Sequence, residues 1–547
     1  MVTLTIDGKE VVVKPGTNMI EAAKQAGSEI PYYCYHPRLS IAANCRMCLV
    51  EVSPGPPKLV PACQTAIAEG QVVKTKTPKV AEEQRAVMEF LLLNHPVDCA
   101  ICDQAGECKL QDYYMRYDHR PSRLDGPKIL RNKRKVLGDL VVLDQERCVQ
   151  CTRCVRFMAE VAKEPQLGMF GRGSHEYIDT FPGQKLDSNY SGNIVDICPV
   201  GALLNRDFRF RARAWYLSTA PSICTGCSRG CNIFADFFGQ DTYRYRPREN
   251  EEINKSWMCD QGRLSYKYLN TARALRASVG KGNERQEVAP QQAARAAAEK
   301  LKPLAGQGTL AVMASAVASN EDLLGALTFA RDVLGAKAVY AAGRPDGKGD
   351  HFLMTGDKNP NRKGLEWIAK GLGLELKTFD ALMTALDDGK VKALYAVGTE
   401  VPVDPAVFAS VAQNLEVFVA QTFNLNAVTD HAHVVLPAAV HVEDEGSFVN
   451  GDGIIQRFRK AYPPRGESVP HWKWAMELAR ELEVLTPYVT SKDVWAQHAK
   501  NVPELSAFEW DKAAPLGNPK GVHNLPAAAD GRPPGYREYG VPRVRGI

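Results

Sequence analysis

No cysteine follows Cys259 in this 547-residue chain, yet 15 lie at or before it, so every thiol is confined to the front half. Long apolar runs are missing as well. Stretches such as 311–318 and 434–442 fall far short of the ~20 residues that a membrane-crossing helix needs. The chain opens directly on the alternating segment Val2 to Ile6, without the charged head and apolar core of an export signal. Export is therefore not expected, and the cysteines are expected in a reducing compartment. A dinucleotide fingerprint is also lacking, because Gly451-Asp452-Gly453 does not extend to G-x-G-x-x-G after a strand. Nothing in the sequence points to an NADH or flavin site of its own. With 45% hydrophobic residues, 24% charged residues and a net charge of +5, the composition is that of a globular protein. It gives no argument for nucleic-acid or membrane binding. At ~100 to 200 residues per domain, the length implies three to five folded units.

What is present is a set of cysteines in regular groups. Val2 to Ile6 and Lys9 to Val13 flank Asp7-Gly8, a two-residue hairpin pairing, and Asn18 with Glu21 reads as a capping box for a helix closing at Gly27. Cys34, Cys45 and Cys48 follow, then a strand over Leu49 to Val52, a Pro-rich loop and Cys63. Four thiolates suit a [2Fe-2S] cluster, since each ferric iron takes two soft anionic ligands besides its bridging sulfides. A zinc site is the plain alternative on spacing. The order resembles a β-grasp ferredoxin domain, and the wide gap between Cys34 and Cys45 points to the form found in complex I and its hydrogenase relatives.

A helical pattern over Ala81 to Asn94 leads into His95, Cys99, Cys102 and Cys108. Three cysteines are one ligand short, and His95 stands where the fourth belongs. A lone histidine is more often a surface or core residue, but here the incomplete set favours ligation. Neutral imidazole in place of thiolate removes one negative charge and should raise the cluster's potential.

Cys148, Cys151 and Cys154 form C-x2-C-x2-C after a strand over Leu140 to Leu143, and the distant Cys198 precedes Pro199. In two-cluster bacterial ferredoxins each triplet is completed by a cysteine from the other run. Met158, Ile194, Ser191 and Ser188 occupy the second cluster's positions, so this module resembles a ferredoxin that has lost one cluster as a complete set. Cys224, Cys227, Cys231 and Cys259 form the last group, with Gly226 and Gly230 allowing a tight fold around it. This pattern resembles the N-terminal cluster domain of molybdopterin oxidoreductases. Fifteen cysteines and His95 thus make four sets of four, and disulfides are a poor alternative for close C-x2-C pairs.

Behind the cysteines, residues 273–308 read as a helix and linker. The short apolar runs 309–315, 338–342, 391–397 and 415–421 read as buried parallel strands of a doubly wound α/β domain. The passage from His433 to Phe458 resembles a pterin-binding region. Gln261, however, replaces the lysine common two residues after the fourth cysteine, and no later cysteine exists to hold a metal. A scaffold without a working pterin is expected, followed by an extended Pro- and Gly-rich tail from Ala514 to Ile547. The basic stretches Arg131 to Lys135 and Arg206 to Arg213 read by default as solvated faces, with cluster-charge compensation or docking as the functional reading.

The order of motifs resembles the large iron-sulfur subunit (the G or 75 kDa type) of complex I, the proton-translocating respiratory NADH:quinone oxidoreductase. The resemblance implies a multidomain α/β and α+β chain: a β-grasp [2Fe-2S] ferredoxin, a bacterial-ferredoxin-like [4Fe-4S] module and a shortened molybdopterin-oxidoreductase-like doubly wound domain. The expected boundaries are 1–78, 79–138, 139–216, 217–272, 273–485 and 486–547. One [2Fe-2S] and three [4Fe-4S] clusters are expected, with no molybdopterin and no complete active site in this chain. The implied partners are an NADH/FMN-binding subunit and quinone-side iron-sulfur subunits, on a peripheral arm at the cytoplasmic face of a bacterial inner membrane. The fourth set matches a site present in only part of the family and off the main route. A molybdopterin formate dehydrogenase catalytic subunit is the alternative, against which Gln261, the missing later cysteine and the short back half all count.

Overall fold

The computed structural model describes residues 1–56 and 58–510, and it divides into two units, Met1–Tyr216 and the residues from Leu217 onward. In the front unit the N-terminal hairpin forms as read: Val2 pairs with Val13 and Ile6 with Lys9. Asp7 and Gly8 turn at φ of 48° and 84°, the left-handed pair that a two-residue turn requires. The helix Met19–Gln25 is capped by Asn18, whose side chain accepts from the Ile20 N–H. No reciprocal capping box is made, because the Glu21 carboxylate accepts instead from Lys24 Nζ and the Tyr35 hydroxyl.

Strands Val72–Lys74, Leu49–Ser53 and Val60–Pro61 complete a five-stranded mixed sheet, in which Val2–Ile6 runs parallel to Val72–Lys74. Leu4, Ile6, Val13, Ile20, Val50 and Val73 form its core, which is the β-grasp arrangement. The helix Pro78–Leu93 starts with Thr77 accepting from the Val80 N–H and proline at its first position, and it stops at Asn94, immediately before His95. Farther on, Lys135–Val136, Val141–Leu143 and Leu203–Asn205 make a three-stranded antiparallel sheet. Beside it, Arg153–Arg156 passes into a π-helical turn over Phe157–Val161, and Gly192–Ile197 ends at Cys198. Met158, Ser188, Ser191 and Ile194, at the positions where a two-cluster ferredoxin would ligate its second cluster, are all buried.

The second unit opens with a three-stranded antiparallel sheet, Ser218–Ile223, Asn232–Phe238 and Asp241–Pro247. An eight-stranded sheet follows, six of whose strands run parallel, from Val434–Pro437 through Val417–Thr422, Ala393–Val397, Leu310–Ser315 and Ala338–Ala342 to Glu375–Lys377. Successive side chains of one strand enter opposite cores. Val312 and Ala314 pack with helices Pro290–Leu301, Asn320–Asp332 and His471–Glu481, whereas Ala311 and Met313 pack with Phe379–Asp387 and Pro405–Ala412. Helices therefore cover both faces, as a doubly wound sheet requires. The segment read as a linker adds two short antiparallel strands at the sheet edge, Ser278–Val279 and Gln286–Glu287. Near the C-terminal end stand helices Ser491–His498 and Pro503–Ser506, while the tail from Ala514 lies outside the described residues. Among the described residues no helix is long and apolar enough to cross a membrane.

Candidate metal centres

All 15 cysteines are unpaired thiols, and the fold gathers them into the four groups that the spacing outlines. Cys34, Cys45, Cys48 and Cys63 lie within thiol hydrogen-bonding reach of one another in the β-grasp unit. The Cys34 thiol is held far down by hydrogen bonds from Cys45 and Cys63, while Cys45 and Cys63 are pushed up in turn. Cys48 is lowered as well, by a hydrogen bond from Cys63, so the set favours charge on two sulfurs and resists it on the other two, and full ionisation needs a cation in its midst. Ala43, near the end of the wide loop between Cys34 and Cys45, and Arg46, just after it, are left-handed, at φ of 51° and 57°.

His95, Cys99, Cys102 and Cys108 line a single cavity of about 810 Å³. His95 follows the end of one helix, Cys99 begins a short 3-10 turn, and Cys108 caps the helix Lys109–Tyr117. Burial pushes the His95 imidazole down to about 4, so at neutral pH it is uncharged, the form a metal ligand requires. Burial also raises the Cys108 thiol to about 12. Three residues outside the set hold this loop. Arg213 donates to the carbonyls of Cys99, Ala100 and Cys102, and Arg147 makes a two-pronged pair with Asp98 at 2.7 and 3.2 Å. Gly201 fits so closely that a Cβ there would lie 2.2 Å from Cys102 Sγ.

Cys148, Cys151, Cys154 and Cys198 converge between the triplet loop and the end of helix Gly192–Ile197. Their burial, followed by their mutual repulsion, raises Cys198 to about 11 and carries Cys154 well above the usual thiol range. The Gln150 N–H donates to Cys148 Sγ at 3.4 Å, from a loop in which Gln150 and Thr152 are left-handed.

The fourth group, Cys224, Cys227, Cys231 and Cys259, lines a small pocket together with Gly226, Gln261 and Gly262. The Gly226 N–H donates to Cys224 Sγ at 3.4 Å and the Gly262 N–H to Cys259 Sγ at 3.3 Å. A Cβ at Gly262 would sit 2.9 Å from Cys224 Sγ and 3.2 Å from Cys259 Sγ. Amide donors aimed at sulfur, glycines in contact with sulfur and buried thiols that need a compensating cation all fit iron-sulfur ligation. Among the described residues no three or more His, Cys, Asp or Glu close tightly enough to hold one metal ion.

Sequence reasoning singled out all sixteen members of these groups but missed Gly201, Arg147 and Arg213. Gly201 stands three residues after Cys198 and Arg147 immediately before Cys148, yet the group each one serves contains Cys99 and Cys102. The basic stretches are largely exposed or half-buried, as the default reading has it, but several of their side chains are also tied to the fold. Lys133 pairs with Asp98 and Glu146, Lys135 with Asp179, and Arg206 donates to the carbonyls of Gly138 and Asp139.

Family models match along the length of the chain. Residues 1–78 match a 2Fe-2S iron-sulfur cluster binding domain, and residues 84–123 an NADH-ubiquinone oxidoreductase-G iron-sulfur binding region. Residues 138–204 match the ferredoxin-like domain of NADH-quinone oxidoreductase subunit 3, and 221–267 an NDSU1/NuoG-like 4Fe-4S domain. A molybdopterin oxidoreductase model matches 261–481. The G-type subunit of NADH-quinone oxidoreductase from Rickettsia conorii is 42% identical over 315 residues, 58% of this chain and 47% of its own. This chain is homologous to the G-type subunit of NADH-quinone oxidoreductase. The 78 kDa mitochondrial subunit of NADH-ubiquinone oxidoreductase from Neurospora crassa is 46% identical over 275 residues, 50% of this chain and 37% of its own. The chain thus spans about half the length, or less, of these relatives. Among solved structures, an NAD+-reducing [NiFe]-hydrogenase chain aligns over 39% of this chain and 90% of its own at 28% identity. The TM-score of that match is 0.35. The chain therefore contains a [2Fe-2S]-binding domain, [4Fe-4S]-binding domains and a shortened molybdopterin-type domain.

Proposed function

We propose that the chain is an iron-sulfur electron-relay subunit of an NADH:quinone oxidoreductase, passing single electrons from an NADH/FMN-binding subunit towards a quinone-reducing one. The ligand sets are Cys34, Cys45, Cys48 and Cys63 for one [2Fe-2S] cluster, with three [4Fe-4S] clusters on His95, Cys99, Cys102 and Cys108, on Cys148, Cys151, Cys154 and Cys198, and on Cys224, Cys227, Cys231 and Cys259. The corresponding modules are residues 1–78, 79–138, 139–216 and 217–272, followed by a scaffold over 273–485 and a C-terminal region over 486–547. The bound clusters supply reversible one-electron chemistry, and the protein supplies their ligands, spacing and dielectric. A place on the cytoplasmic face of the inner membrane, held there through partner subunits, belongs to the same reading.

One observation carries it. The turn after Cys198 connects two sets: Pro199 O accepts from the Lys109 N–H, beside Cys108, and Gly201 abuts Cys102 Sγ. Two ligand groups that share one turn serve passage between centres better than two independent structural sites would. The formate dehydrogenase alternative has no support among the relatives, and Gln261 in the fourth pocket offers no cationic contact of the kind lysine gives.

The test is reducibility. NADH alone should leave the isolated chain oxidised, and NADH with an FMN-bearing partner subunit should reduce its paramagnetic centres. Reduction by NADH without any partner, or none with it, contradicts the proposal. His95→Cys should keep a cluster but lower its midpoint potential, because a thiolate adds negative charge that disfavours the reduced form. An unchanged redox titration would remove His95 from the ligands.

A further inference from the structure

Within the front unit, two of the proposed ligand sets are connected through one side chain that belongs to neither. The Arg156 Nη2 atom donates to Cys34 O at 2.7 Å and to Cys151 O at 3.1 Å. The rest of the guanidinium is held as firmly: Nε donates to Thr152 Oγ1 at 3.1 Å and Nη1 to Ser40 O. Its plane is therefore fixed from both sides. Adjacent residues reinforce the junction, with Asn44 Nδ2 donating to Gln150 O at 3.1 Å and the buried Arg153 spanning Tyr35 O and Ile197 O.

We propose that Arg156 is a positioning residue for electron passage between the Cys34 and Cys151 sets, its guanidinium being the hydrogen-bonded link that joins them. This rests on the ligand assignment proposed above. From either sulfur the covalent path runs through Cβ, Cα and the carbonyl to the same nitrogen, so the link consists of two ligand residues and two hydrogen bonds. An electron crossing it leaves the donor centre oxidised by one and the acceptor centre reduced by one, and Arg156 exchanges neither proton nor bond. Its fixed positive charge also favours the reduced form of both centres. Lysine keeps the charge but is a point donor that cannot reproduce the planar fork. The two contributions are thereby separable.

The experiment uses the full chain purified anaerobically, as the parent protein and as Arg156→Lys and Arg156→Gln. It reads three quantities: midpoint potentials of both centres, the spin-spin splitting between them by EPR, and the rate at which they equilibrate after a flash-generated flavin radical delivers one electron. Arg156→Lys should slow equilibration while potentials and splitting hold. Arg156→Gln should slow it too and lower both potentials, by as much as a tenfold change in the reduced-to-oxidised ratio, about 59 mV for one electron. Unchanged rates in both variants overturn the proposal. So does a slower rate in Arg156→Lys that comes with a weaker splitting, since Arg156 would then only set the separation. If the parent chain lacks either centre, the ligand assignment fails and the link fails with it; if both centres are present and rates are unchanged, the link alone fails.

Discussion

Gly201→Ala should cost the chain one [4Fe-4S] cluster, about 4 iron, while leaving the fold intact. The added methyl would lie 2.2 Å from Cys102 Sγ, and Gly201 does not have a left-handed φ, so the backbone itself accepts alanine. A thiol free to rotate would turn away and absorb the change at little expense, whereas a thiol bonded to iron has one position. The lesion is therefore confined to the metal-loaded state. Iron and acid-labile sulfide per chain should each fall by about four relative to the parent, with far-UV circular dichroism unchanged. An unaltered iron count would show that Cys102 is not held where the assignment needs it. Gln104 Cβ, 3.1 Å from the same position, makes the pocket tight on its other side.

The second large effect concerns the anchorage of Cys259. Arg273 and Glu443 form a two-pronged ion pair with both hydrogen bonds at 2.7 Å, and Glu443 is 0% exposed. Arg273 also donates to Leu269 O and Phe423 O, fastening the chain after the Cys259 helix to the parallel-sheet layer. Arg273→Met leaves a buried carboxylate with the Val440 N–H and with Arg465 at 3.8 Å. Removing one partner of a buried pair costs about 3 to 5 kcal/mol, and the residual contact with Arg465 places this case at the lower end. Urea unfolding should show that loss in the second unit. The double substitution Arg273→Met, Glu443→Met should recover part of it, because no charge is then stranded. A single variant as stable as the parent would mean that the pair does not fasten this segment.

What was legible in the sequence was what local pattern encodes. The Asp7-Gly8 hairpin needs only two residues, the cysteine triplets only their spacing, and the parallel strands only short apolar runs buried on both faces. What was not legible depends on partners far along the chain. The strand Asp241–Pro247 carries Arg244 and Arg246, which hydropathy reads as surface. Both donate to the buried Asp236 of the neighbouring strand at 2.6 Å and hold its carboxyl well below the usual range against the cost of burial. Arg213 looks like one member of a basic run, but its partners are the carbonyls of Cys99 to Cys102, more than 100 positions earlier. The absent capping box has the same origin. Glu21 is drawn to Tyr35, a residue of the cluster loop that no local window includes.

The measurement that tests the central claim most directly is an elemental count on the anaerobically purified chain, taking iron, acid-labile sulfide, zinc and molybdenum together. One [2Fe-2S] and three [4Fe-4S] clusters predict about 14 iron per chain with matching sulfide, and neither zinc nor molybdenum in stoichiometric amount. About four zinc with little iron would contradict the electron-relay account, and stoichiometric molybdenum would make this chain a catalytic subunit instead.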